Sequence, residues 1–387
     1  MALDWAALEL QLADIQRRVH GAAQCLRSLG NPGPSGSPRE LLCVRGKARL
    51  YRYLPVPGAT NAVPLLIVYA LVNRPSMADL EPDRSLVRAL LERGIDVHLV
   101  EWDDPGVLDA SRDLADYVTR DLHGCVAFMA ACHGPVNLMG ICQGGTFALC
   151  YAALETSMVR TLVTTVTPVD FHTPEDNLSR LLREVDLDML GARNVGGDAL
   201  NGLFLRLKPY RLLVQKYVDL LPQLADAEAL ATFLRMERWI FDSPDLAGRA
   251  LGQFARQFYR ENRLVTGGLE IGGRAVALGN LRMPILNVYA RDDHLVPPAS
   301  SRALAGLVGT RDYVEAAVPG GHIGIYVGSR SRIQVADTIA VWLKARVGGP
   351  EAVRGRTKSP PEDRSGDRST GAEGRSNEKR GQRGKRV

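Results

Sequence analysis

The sequence predicts an α/β protein with a doubly wound, mostly parallel sheet and an inserted helical cap. Three observations carry this. Short, continuous apolar runs alternate with segments of helical period, as buried parallel strands and their covering helices do. The alternation stops between residue 171 and about residue 280, where the pattern is helical, and then resumes. A glycine-framed cysteine, Gly140-Ile141-Cys142-Gln143-Gly144-Gly145, sits where one strand pattern gives way to a helix pattern.

In chain order, residues 1–30 read as an amphipathic helix with Leu8, Leu12, Ile15 and Leu26 among its apolar positions. GNPGPSGSP at 30–38 is a breaker-rich linker. The first core part is expected over 39–170. Its strands fall at 64–70, 97–100, 136–139 and 162–166, and its helices at 83–93, 108–131 and 146–154. The cap is expected over 171–280. It includes a helix at 209–221 opened by Pro209 and one at 226–240 capped by Asp226. The second core part, 281–347, holds strands at 285–289 and 312–316 and a helix at 300–308. From residue 348 the chain is rich in Arg, Ser, Gly, Glu and Pro. It has too little apolar surface to offset chain entropy and is expected to be disordered.

Charge follows this division. The formal net charge is +5, and residues 350–387 hold 11 Lys/Arg against 6 Asp/Glu. The body is therefore neutral, so the basic excess does not indicate a specific nucleic-acid partner. The six cysteines (Cys25, Cys43, Cys125, Cys132, Cys142 and Cys150) form no C-x-x-C pair and read as reduced thiols of a cytoplasmic protein. No secretory signal is visible, since no Lys or Arg precedes Arg17. The most apolar run, 63–72, is too short for a transmembrane segment.

A strand, then Gly-x-Cys-x-Gly-Gly, then a helix is the nucleophile-elbow arrangement of the α/β-hydrolase fold, with cysteine in place of serine. Gly140 and Gly144 remove side chains that would collide in so tight a turn, and Gly145 lets the helix pack closely. The elbow places the sulfur at the positive end of the helix, which favours a thiolate. It also aims the backbone N–H of Gln143 at a developing oxyanion. A purely structural turn with an inert, buried cysteine is the alternative.

In this fold the acid and the histidine follow the nucleophile. His172, His294 and His322 are the histidines after Cys142. Asp293 follows an expected strand, and His322 lies in Pro319-Gly320-Gly321-His322. The 29 residues between them leave room for one helix and one strand, which brings both loops to the same sheet edge. Asp292 is a rival acid. His294 is a supporting or merely packing residue, and His172 is a cap-base residue. His20, His98, His123 and His133 show no metal-ligand spacing. The second oxyanion donor is expected to be the backbone N–H of Val72, in the loop after the strand at 64–70. Asn73 and Arg74, beside it, read equally as loop capping and surface charge. Cys150 reads as core.

These residues resemble the polyhydroxyalkanoate synthases. The resemblance rests on seven ordered blocks: Tyr69-Ala-Leu-Val-Asn-Arg-Pro75, Asp83-Arg-Ser-Leu86, the elbow, Thr167-Pro-Val-Asp-Phe171, Trp239-Ile-Phe-Asp-Ser-Pro244, Asp293-His-Leu-Val-Pro-Pro298 and Gly320-Gly-His-Ile-Gly-Ile-Tyr326. It is closest to the short, class III catalytic subunit and covers about residues 1–347. It implies that Cys142, Asp293 and His322 are nucleophile, acid and base. It further implies polymerisation of (R)-3-hydroxyacyl-CoA, usually 3-hydroxybutyryl-CoA, into polyester with release of CoA. No metal or organic cofactor is implied, CoA being a product. Implied partners are the growing polyester chain, a separate accessory subunit and a homo-dimeric or hetero-oligomeric assembly at the surface of polyester granules. The basic tail departs from the pattern. A cysteine-type hydrolase (dienelactone hydrolase or thioesterase) and a non-catalytic granule-associated protein are the rival expectations.

Overall fold

A computed structural model describes residues 36–59, 62–183, 193–205, 216–220 and 226–346. The expected helix over 1–30, most of the linker and the tail from 348 lie outside the described residues. So does the first part of the helix expected at 209–221.

The strands in chain order are β1 (Arg39–Arg45), β2 (Ala48–Tyr53), β3 (Val63–Val68), β4 (Asp79–Glu81), β5 (Arg84–Ser85), β6 (Ile95–Trp102), β7 (Val136–Ile141), β8 (Val159–Thr165), β9 (Glu270–Ile271), β10 (Arg274–Ala275), β11 (Ile285–Ala290) and β12 (Tyr313–Val318). Eight of them form one sheet in the order β1-β2-β6-β3-β7-β8-β11-β12. The β1–β2 and β2–β6 pairs are antiparallel and the remaining pairs are parallel. The carboxyl ends of β3, β7, β11 and β12 therefore share one edge, where a doubly wound sheet places its ligand. The antiparallel β1–β2 hairpin was not singled out in the sequence, because its half-exposed pattern lacks a continuous apolar run.

The core helices are α1 (Leu86–Glu92), α2 (Leu122–His133) and α3 (Gln143–Leu154). The region between β8 and β11 carries α4 (Asn177–Arg183), α5 (Gly197–Leu205), α6 (Lys216–Leu220), α7 (Ala227–Phe241), α8 (Gly248–Phe254) and α9 (Arg263–Thr266). After β11 come α10 (Pro298–Arg302), α11 (Gly324–Val327) and α12 (Ser329–Lys344). Helices α2 and α3 bury one face of the sheet, and α1 and α12 the other. Buried side chains on both faces explain why the central strands read as continuous apolar runs.

Two elements differ from expectation. The helix expected over 108–131 is broken into a 3-10 turn (Val107–Ser111), a π-helical turn (Asp116–Asp121) and α2. Asp113 and Asp116 exchange side-chain-to-backbone hydrogen bonds at 2.9 and 3.1 Å, which starts a new helix inside the apolar pattern. The cap region, expected to lack clear strands, holds the two-residue β9–β10 pair and a bridge between Val195 and Leu246.

The cap is anchored to the core by polar ties. Asp226 caps α7 as expected, accepting from the N–H groups of Glu228 and Ala229. Further along α7, Thr232 donates to Glu81 at 2.7 Å and Arg235 pairs with Glu81 at 2.6 Å. Near its end, Trp239 Nε1 donates to Arg74 O at 2.7 Å. The Arg74 guanidinium pairs with Asp104 and lies 3.5 Å from Asp242.

Candidate active site

Cys142 stands between β7 and α3 at φ 54°, ψ −124°, a backbone conformation that few L-residues adopt. The turn is that tight because the strand and helix almost touch. A Cβ on Gly140 would sit 2.3 Å from Gly145 Cα, and one on Gly145 would sit 1.8 Å from Thr167 Oγ1. The sulfur is thereby lifted off the sheet edge at the first turn of a 12-residue helix.

His322 and Asp293 reach the same edge from the loops after β12 and β11. His322 Nδ1 lies 2.7 Å from Asp293 Oδ2. Asp293 Oδ1 accepts the backbone N–H groups of Leu295 and Val296, both at 2.9 Å. Burial disfavours charge on the imidazole, but the Asp293 carboxylate and then Cys142, which hydrogen-bonds the ring, outweigh it. His322 is held well above its ordinary value. With Nδ1 committed to the carboxylate, Nε2 is the nitrogen left for the sulfur.

Cys142 and His322 open into a cavity of about 740 Å³. The core contributes Val72, Gln143, Leu295 and Ile323 to its wall, and the cap contributes Leu178, Phe204, Trp239 and Ile240. Tyr69 and Tyr326 are buried around the sulfur, and Tyr259 is half-buried beside them. Burial, with the charge at Cys142 adding to it, pushes their phenols up, so they serve as neutral hydroxyls. Tyr326 is tied to Thr165 at 3.1 Å. Burial also raises the Asp176 carboxyl, which caps α4 through Ser179 N at 2.8 Å.

Val72 and Gln143, the expected oxyanion donors, both line the cavity. The Gln143 side chain is spent on the loop itself, accepting the Leu71 N–H at 3.0 Å. His294 lines the cavity beside the acid, as does Asp292, whose carboxylate accepts Gly320 N–H at 3.2 Å. His172 is exposed and donates through Nε2 to Tyr259 O at 3.0 Å, outside the cavity wall. Cys150 is buried. Sequence reasoning did not single out Asp176, Asn201, Lys216 or Tyr259, the cap's polar contributions to the wall. A helical pattern shows which face is apolar but not which polar residue meets the core.

Among the described residues no helix is long and apolar enough to cross a membrane. A family model for the alpha/beta hydrolase fold matches residues 63–329. An α/β-hydrolase-fold protein from Chitinophaga pinensis has a similar structure, with TM-score 0.46 and 15% identity over 80% of this chain and 98% of that one. The poly(3-hydroxyalkanoate) polymerase subunit PhaC of Allochromatium vinosum is 45% identical over 88% of this chain and 97% of its own length. That of Thiocystis violacea is 46% identical over 80% and 89%. The chain belongs to the poly(3-hydroxyalkanoate) polymerase family. The Synechocystis subunit is 44% identical over 80% of this chain and 85% of its own. In this polymerase-family chain, six of the seven blocks that carried the resemblance converge on one cavity. The wall takes residues from 69–75, 140–145, 167–171, 239–244, 293–298 and 320–326.

Proposed function

We propose that this chain polymerises 3-hydroxyacyl groups, 3-hydroxybutyryl above all, from their CoA thioesters and releases CoA, with the growing acyl chain carried on Cys142. The observation that carries the reading is a cysteine on an elbow, on one cavity wall with the His322 of a His322–Asp293 pair, under a cap of a polymerase-family chain.

In the first step His322 Nε2 takes the Cys142 proton, and the thiolate attacks the thioester carbonyl. The backbone N–H groups of Gln143 and Val72 hold the oxyanion. The carbon–sulfur bond to CoA breaks, and CoA leaves with the proton from His322. One thioester replaces another, so the acyl group stays activated. In the second step His322 takes the proton of an incoming 3-hydroxyl, whose oxygen attacks the acyl-Cys142 carbonyl. The Cys142–acyl bond breaks, and the sulfur takes the proton back from His322. The ester formed is a chain one unit longer that still ends in its CoA thioester. Repetition of the first step returns that chain to Cys142 and releases CoA. Asp293 acts through the imidazole: its side chain is fully buried and both oxygens already accept hydrogen bonds. It fixes the tautomer and stabilises the imidazolium. His294, on the cavity wall, supports this loop. The reaction as written uses no metal or organic cofactor.

The cap limits water, which would otherwise compete with the hydroxyl. An accessory synthase subunit, a homo-dimeric or hetero-oligomeric assembly, and a cytoplasmic location at polyester granule surfaces belong to the same reading.

The test supplies 3-hydroxybutyryl-CoA, with and without a candidate accessory subunit, and follows CoA release and acyl product together. Polyester is expected. Free 3-hydroxybutyrate as sole product favours a cysteine hydrolase, and no CoA release favours a non-catalytic protein.

A further inference from the structure

The cap side of the cavity holds a polar group that the steps above leave unused. Asn201 lies on α5 between Gly197 and Phe204, on one helix face, and Phe204 also lines the cavity. Contact along this face is close: a Cβ on Gly197 would sit 1.9 Å from Ser243 O. Asn201 is only 7% exposed. Ser243 Oγ lies 2.6 Å from Asn201 Oδ1 and 3.2 Å from the carboxamide of Asn73, another cavity residue.

Ser243 has one proton for two neighbours. The 2.6 Å contact suits O–H···O and is short for an amide N–H, so Ser243 donates to Asn201 Oδ1. At 3.2 Å, Asn73 Oδ1 is the more distant of the two acceptors and takes at most a weak share of that proton. The Asn201 Nδ2 then has no hydrogen-bond partner among the described residues. Leaving a buried amide donor unmade costs about 1–3 kcal/mol. Native interiors seldom keep one without a use for it.

The geometry points to Asn201 as a carbonyl-binding residue for the growing polyester: its amide N–H donates to an ester carbonyl of the chain held in the cavity. This rests on the polymerase reading. The reacting carbonyl has its donors on the core side, at Gln143 and Val72. Each added repeat brings one further ester carbonyl, a hydrogen-bond acceptor that loses water on entering. It meets a cap wall that includes Leu178, Phe204, Trp239 and Ile240, in which the Lys216 ammonium is already paired with Glu237 and Asn201 holds an unspent donor.

The test compares two acyl donors, 3-hydroxybutyryl-CoA and the CoA thioester of the linear 3-hydroxybutyrate dimer, which carries one internal ester. Wild type is expected to prefer the dimer in kcat/KM. Asn201→Asp keeps the acceptor for Ser243 and replaces the N–H donors with oxygen, and Asn201→Leu removes both. Each is expected to reduce the dimer-to-monomer preference about tenfold, the loss of one hydrogen bond. Thermal melting identifies the folded variant if one of the two fails. A folded variant that keeps the wild-type preference, or a wild type without any, overturns the assignment. Wild type yielding only free acid instead overturns the polymerase reading.

Discussion

His322 Nδ1 and Asp293 Oδ2 lie 2.7 Å apart, and both Asp293 oxygens are engaged and shielded from the cavity. Asp293 Oδ1 holds two backbone N–H groups, and the side chain is fully buried. Asp293→Asn is therefore expected to reduce acylation of Cys142 and chain elongation together, by about 10³–10⁴-fold, because both pass through the same imidazole. Rapid-quench measurement of acyl-Cys142 separates the two steps. A variant that acylates at the wild-type rate and then stalls would assign Asp293 to the hydroxyl instead.

The elbow stores backbone strain at Cys142, whose φ of 54° suits glycine. Cys142→Gly is expected to be more stable than Cys142→Ala by about 1 kcal/mol, since both remove the thiol and only one relieves the backbone. Denaturant unfolding of the two inactive variants measures this. Equal stability, or a more stable alanine variant, would mean the turn is unstrained.

The charge on His322 gives stability a pH dependence. Asp293 and Cys142 hold the folded-state value well above the unfolded one, so the folded protein binds this proton more tightly. The contribution is fully present below the unfolded value, about 6.5, and is lost as pH rises through the higher folded value. The stability gap between wild type and His322→Gln is expected to shrink as pH is raised above neutrality. A gap that widens toward alkaline pH would contradict the assignment.

The edge that carries Cys142, Asp293 and His322 was legible in the sequence because its main markers are local. Gly140 records a backbone contact with Gly144 and Gly145, within six residues, and the 29-residue step from Asp293 to His322 records one helix and one strand; the room that Gly144 and Gly145 leave for Val68, Tyr69 and Thr167 is tertiary. The cap side was not. Asn201, Lys216 and Tyr259 meet the core only through tertiary packing, and nothing in a helical period marks them. The broken helix at 107–121 was hidden in the same way. Apolar periodicity runs through it, while the break comes from Asp113 and Asp116 turning on the backbone. The β1–β2 hairpin escaped because its outer strand is half exposed.

The central claim is that one cysteine carries the whole growing chain. Intact-protein mass spectrometry, on enzyme quenched during turnover of 3-hydroxybutyryl-CoA, tests it directly. The account predicts adducts confined to Cys142, forming a ladder whose steps are single 3-hydroxybutyryl units, and no adduct in Cys142→Ala. An adduct of one unit that never lengthens while free acid accumulates, or a ladder that persists in Cys142→Ala, would contradict it.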